Sequence, residues 1–241
     1  MRQLKIFVLL FFIVNIKSFA QFNWNKTIKD VTHTVGNGGK LSNDDIVKGL
    51  KEALKVGSRN SAAKASQEDG YFKNPMIKIP FPEEAEEMKS TLINMGMRRQ
   101  VDEFVLTMNR AAEDAAKKAA PVFLNAITKM TIKDGVNILK GKDDAATQYL
   151  KTNTSVQLKK EFLPIVKESI NKVQVTKYWN PLITSYNKIP FVKKLNPDLE
   201  DYVTQKAIDG LFMLVAQEEY KIRKDPAARV TDILKKVFGK N

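Results

Sequence analysis

The sequence predicts an all-α fold: a single-domain, multi-helix bundle of about nine helices with proline-containing ordered loops. Three observations predict it. Apolar residues recur three and four apart through most of residues 41–241, which is the helical period. No stretch alternates apolar and polar residues long enough to make a convincing strand. Most prolines fall between the periodic segments, and neither a low-complexity linker nor an internal repeat divides the region.

The elements follow in chain order. Arg2 and Lys5 precede an eleven-residue apolar run, Ile6 to Ile16, and Ser18-Phe19-Ala20 supplies small residues where an exporting peptidase cuts. Residues 1–20 are therefore expected to be a signal peptide, since that run is far short of the roughly 20 residues that span a bilayer. Residues 21–40 hold two aromatics and a glycine-rich link, and are expected to form a flexible N-terminal arm. The helical domain, 41–241, opens with Ser42 and Asp45 in a capping-box variant and a stripe of Ile46, Leu50, Ala53 and Leu54. The segment "MIKIPFP" contains Pro80 and Pro82, which exclude a central strand, and predicts an ordered loop laid across the helices. Four acids between Glu83 and Glu87 suit the first turns of the next helix, where the macrodipole favours negative charge.

A long helix is expected from Met97 to Ala119, with Val101, Phe104, Val105 and Met108 on one side and alanines that admit a close neighbour in its second half. Pro121 suits the first turn of a short helix carrying Val122, Phe123 and Ile127. Thr131 caps another, with Asp134 three residues on, ending at Gly141. Asp143 to Lys151 reads as a separate short helix. Thr154 or Ser155 then caps the next, which carries Leu158, Phe162 and Ile170, with Pro164 kinking or restarting it. Trp179 to Tyr186, Asp198 to Arg223 and Pro226 to Phe238 complete the set, with a loop holding Pro190 and Pro197. Phe72, Met76, Phe81, Trp179, Phe191, Phe212 and Met213 are expected mostly in the core.

Composition excludes several chemistries. There is no cysteine, so disulfides, thiol nucleophiles, thiolate metal sites and a lipid-bearing cysteine are all absent. One histidine, His33, lies in the arm, which leaves histidine-rich zinc catalysis out and a serine–histidine–acid triad without support. "GNGGK" lacks the strand and the hydroxyl residue of a phosphate-binding loop. No cofactor or metal is expected. The net charge of +13, or +10 without Arg2, Lys5 and Lys17, favours anionic surfaces such as headgroups, wall polymers or acidic proteins. Basic pairs are scattered along the chain and form no dense arm, so most of the charge reads as solvated surface; an exported chain does not meet nucleic acid physiologically.

Six stretches carry a family resemblance: "IVKGLKEALKVGSRNSA", "DGYFKNPMIKIPFPE", "VDEFVLTMNRAAEDAAKKAAPVF", "MTIKDGVNILKGKDDAATQYLKTNT", "KKLNPDLEDYVTQKAIDGLF" and "AQEEYKIRKDPAARVTDILKKVFG". In their wording and order the chain resembles a bacterial family filed as domain of unknown function number 4197, over roughly residues 41–239. The resemblance implies an exported, helical bacterial protein and brings no activity, substrate or catalytic residue. Many members look like lipoproteins; this chain departs by lacking the anchoring cysteine.

Four groups of polar residues are candidates for ligand binding. Asp143 and Asp144, with Tyr149 following, sit at a helix start, where they read first as a tight joint and second as a hard-cation or ligand site. Asn109 borders an apolar stripe, and Arg110 is spaced to pair with Glu113 or Asp114 on one helix face, most simply as a surface ion pair. Glu219 lies four before Arg223, which suggests an acid at the core edge satisfied by the arginine. Arg98 and Arg99 stand at a helix start where an anionic group would fit. The expected function is a non-enzymatic protein of the periplasm or cell envelope, soluble or peripherally attached, that binds a partner protein or an amphipathic, anionic ligand. A carboxylate hydrolase using Asp143, Asp144 and Glu113 is the alternative, and a structural envelope component is a third.

Overall fold

The computed structural model describes residues 42–172, 184, 187–188, 190–191, 194 and 198–225. Among these there are seven α-helices and no strand: α1 (Asn43–Ser66), α2 (Glu86–Asn94), α3 (Arg98–Ala116), α4 (Ala119–Lys129), α5 (Ile132–Lys140), α6 (Ala145–Lys172) and α7 (Leu199–Lys224). A 3₁₀ turn, Glu83–Ala85, leads into α2. Apart from Thr184, which is helical, the helix expected at Trp179–Tyr186 lies outside the described residues, as do the one at Pro226–Phe238, the loop at Pro197 and the N-terminal arm.

Seven helices rather than the expected nine stand among the described residues, partly because two predicted helices are one. Residues 145–172 run without a break, so Thr154 and Ser155 are helix interior rather than caps. Their hydroxyls donate back to the carbonyls of Leu150 and Lys151, each at 2.6 Å, which is the in-helix alternative open to the same side chains. Pro164 does not restart the helix either. It lies on the exposed side, where the carbonyl that its missing N–H leaves free is open to solvent rather than buried in the core.

The core lies where α1, α3, α6 and α7 meet, with α4 closing against α1 and α6. Helix α3 is central because its alanine face is flush: Ala111, Ala112, Ala115 and Ala116 are fully buried, so neighbouring backbones come close. Larger side chains fill the space around it, chiefly Met108, Phe123, Leu150, Leu158, Phe162 and Leu211. Each contributes on the order of 2–3 kcal/mol through removal from water. Thr131 caps α5 as the sequence indicates, in a reciprocal box with Asp134.

Between α1 and the 3₁₀ turn, residues 67–82 form a strap over the bundle. Ile77, Ile79 and Phe81 point inward while Lys78 and Pro80 face water, the alternation of an extended chain. Tyr71 is fully buried at its start. Phe81 and Phe212 occupy the core as expected. Met76 and Met213 are instead about half exposed, and Phe191 is wholly exposed at 107%. Phe72 is half-buried, and Trp179 lies outside the described residues.

Candidate functional site

Helix α3 fastens the strap with two side chains one turn apart. Asn109, fully buried, behaves like a missing strand: its Oδ1 accepts from the Ile79 N–H and its Nδ2 donates to the Ile79 carbonyl, both at 2.8 Å. The same Nδ2 donates to the Val105 carbonyl. Glu113, 4% exposed, accepts the N–H groups of Tyr71 and Phe72 on Oε1, each at 3.1 Å. Its Oε2 takes a 2.6 Å bond from Arg110, whose other terminal nitrogen reaches Asp69 at 2.8 Å. The pair expected at the surface is thus half beneath it, because the acid is needed by backbone amides that a turn leaves without carbonyl partners.

Asp69 supplies that turn by adopting a left-handed backbone, φ 65°, and Lys73 and then Arg110 hold its carboxyl below the usual range through hydrogen bonds. The Tyr71 phenol donates to the Ala207 carbonyl of α7 at 2.6 Å. Burial, reinforced by the charges of Glu113 and Asp209, pushes its ionisation far above the ordinary value.

A second clamp closes the α5–α6 corner. Glu219 of α7 is 6% exposed. Its Oε1 accepts from the Ala146 N–H at 2.9 Å, and its Oε2 from the N–H and hydroxyl of Thr147, both at 2.8 Å. These are first-turn amides of α6, unpaired within the helix and favourable to an anion. Arg223 completes the group, donating to Glu219 and to the Ile138 carbonyl at the end of α5. Five donors therefore converge on one carboxylate, leaving no lone pair for a substrate proton.

Of the neighbouring acids at the joint Asp143 is exposed and Asp144 half-buried, and they are differently engaged. Asp143 pairs with Lys224 at 2.9 Å, and Asp144 accepts from Gln148. Tyr149 reaches the Ala126 carbonyl at 3.4 Å, and burial raises its ionisation. Among the described residues no hydrogen bond or ion pair joins Glu113 to Asp143 or Asp144. No group of three or more His, Cys, Asp or Glu side chains among them is placed to hold a metal ion.

Arg98 and Arg99 open α3 after a tight turn at Gly96, φ 83°. They edge an open depression of about 590 Å³ whose apolar floor is Phe72 and Leu106, with Asp102 and Glu103 on the same wall. Arg99 pairs with Glu103 at 2.8 Å, whereas Arg98 has no ion-pair partner among the described residues. Lys78 stands over the Phe72 ring at 4.5 Å, so a cation faces the aromatic on the strap side as well. Sequence reasoning singled out the arginines and expected Phe72 mostly in the core, but did not find the contacts that Phe72, Tyr71 and Thr147 make. Only their distant partners mark these three, and no local spacing shows a partner 40 or more residues away.

No helix among the described residues is long and apolar enough to cross a membrane. A family model described as "Protein of unknown function (DUF4197)" matches residues 40–239. No curated protein and no solved structure matches the chain. The matched span takes in every helix described above, and the chain belongs to the DUF4197 family.

Proposed function

We propose that this protein acts by binding rather than by catalysis, as an exported helical module of the periplasm or cell envelope. Its ligand or partner surface is the corner where the strap meets the start of α3, and the ligand is part apolar and part anionic. One observation carries the reading: Glu219 is saturated by backbone amides, a hydroxyl and Arg223, and Glu113 is engaged by two backbone amides and Arg110, while Arg98 borders an apolar floor with no ion-pair partner among the described residues. A general base needs a lone pair within hydrogen-bond reach of a substrate proton, and Glu219 offers none. A guanidinium beside Phe72 and Leu106 suits a carboxylate or phosphate carried on an apolar body.

Native mass spectrometry of the protein, gently released from its own envelope, tests this. The expected result is a stoichiometric adduct that Arg98→Glu, Arg99→Glu removes. A bare monomer mass, or an adduct indifferent to those substitutions, would sink the assignment.

A further inference from the structure

The described stretches of the bundle are close to neutral as a whole, yet their charge is segregated. Residues 42–172 hold 22 Lys and Arg against 18 Asp and Glu, and residues 198–225 hold 4 against 7. Within them, residues 117–142, which make α4, α5 and the turns that flank them, hold six lysines, no arginine and one acid, Asp134. The rest of these stretches is therefore net acidic, a division that the scatter of basic pairs along the chain hides.

The lysines gather on one face. Gly135 and Ile138 are buried on the inner side of α5, where a methyl group on Gly135 would stand 2.7 Å from the Val47 side chain of α1. At about 100° per residue, Ile132, Lys133, Asn137 and Lys140 fall on the opposite side. All four are exposed, Ile132 at 50%. Exposed Lys129 ends α4 just before this face, and exposed Lys142 follows just after it. The acids nearby are engaged elsewhere. Asp134 accepts from the N–H and hydroxyl of Thr131, Asp114 pairs with Lys117, and Asp143 with Lys224. Lys129, Lys133, Lys140 and Lys142 have no ion-pair partner among the described residues.

Helix electrostatics explains only part of this. Lys129 and Lys140 stand in last turns, where the macrodipole favours a cation. Lys133 is the second residue of α5, at the positive end, where a cation is disfavoured. A lysine held against the local field, beside a half-exposed isoleucine, answers to something outside the chain. The composition of the face selects among anionic partners. Protein hot spots favour Trp, Tyr and Arg, and single-stranded nucleic acid is held by aromatic rings and arginine; this face has none of them. Lysine alone meets a diffuse layer of charge rather than a shaped partner, and an apolar side chain among lysines reaches the boundary with the acyl chains.

We infer that the exposed face of α5 is a peripheral contact for an anionic bilayer, in which Lys129, Lys133, Lys140 and Lys142 meet the headgroups and Ile132 enters the interface. It is a different surface from the Arg98 corner and does not rest on that assignment.

The test is co-sedimentation of the full chain, with its N-terminus as the producing cell leaves it, with two kinds of vesicle. One is phosphatidylcholine alone and the other contains about one third phosphatidylglycerol. Binding to the anionic vesicles is expected to be about tenfold tighter and to weaken with salt. Lys129→Gln, Lys133→Gln and Lys140→Gln together should weaken it about a hundredfold, and Ile132→Ser alone about tenfold. A variant of equal net charge, with Lys64→Gln, Lys160→Gln and Lys206→Gln, should lose less than about tenfold, which separates this face from charge in general. Lys133→Gln alone should keep or raise the melting temperature, because it relieves the start of α5. Equal binding to both vesicles, equal loss in the two triple variants, indifference to Ile132→Ser, or a lowered melting temperature for Lys133→Gln would overturn the inference. So would tighter lysine-dependent binding to a single-stranded oligonucleotide or to polyglutamate than to the anionic vesicles, which would assign the face to nucleic acid or to an acidic protein.

Discussion

Tyr71 places a phenol in a fully buried site, donating to the Ala207 carbonyl and lying near the charge of Glu113. Its proton is held more tightly in the folded chain than in the unfolded one, where tyrosine titrates near 10.0. The stabilisation is therefore fully present below pH 10 and is lost as the pH climbs toward the raised value. Tyr202, pushed up to about 12 by partial burial and by Glu84 and Glu83, adds to the same loss. Stability to urea is expected to fall above pH 10, with Tyr71 contributing about 1.4 kcal/mol per pH unit. Tyr71→Phe should cost about 1 kcal/mol at neutral pH and flatten the alkaline slope; an unchanged slope would remove Tyr71 from the account. The sequence shows residues of this kind unevenly. The Glu219–Arg223 pair is visible as a four-residue spacing on one helix, because its geometry is local. The amides of Ala146 and Thr147 that complete it come from 73 and 72 residues away, and only the approach of α7 to the joint brings them there.

At the scale of elements, two substitutions test why the helices run as they do. Pro164 is exposed within the unbroken helix α6, so Pro164→Ala restores a helix hydrogen bond and removes a poor helix former without disturbing the core. It should stabilise the protein by about 1–3 kcal/mol in urea denaturation. A loss would mean that the proline shapes a packed bend. Gly210 lets α7 approach the strap, because a methyl group there would stand 2.9 Å from the Tyr71 ring and 3.0 Å from Ile77 Cβ. Gly210→Ala should therefore cost about 1–3 kcal/mol despite its better helix propensity, read as a lowered urea midpoint. A gain in stability would show that the strap yields freely. The two threonines explain why element boundaries were only partly legible. Thr131 and Thr154 both precede apolar helical stripes, yet only Thr131 is followed three residues on by an acid that bonds back to it. Thr154 spends its hydroxyl on the Leu150 carbonyl, and a preceding helix that does not end needs no new cap.

Across the whole molecule, the polar residues that stand out in the sequence mostly build the fold. The apolar period was sufficient for the all-helical class and for the core on α1, α3, α6 and α7, since burial follows directly from spacing. It was not sufficient for the roles of Asn109, Glu113 and Glu219, which satisfy the backbone of segments distant in sequence. A residue kept for chemistry is a liability to the fold, and its replacement tends to leave stability unchanged or raised. A residue kept for structure behaves in the opposite way. The direct test is therefore equilibrium urea denaturation of Glu113→Ala and Glu219→Ala beside the unsubstituted chain. Glu219→Ala strands two helix amides and the nearly buried Arg223, and should cost about 3–5 kcal/mol. Glu113→Ala leaves the better-solvated Arg110, and should cost about 2–3 kcal/mol. Unchanged or increased stability in both variants would contradict the account and return these carboxylates to the search for an active site.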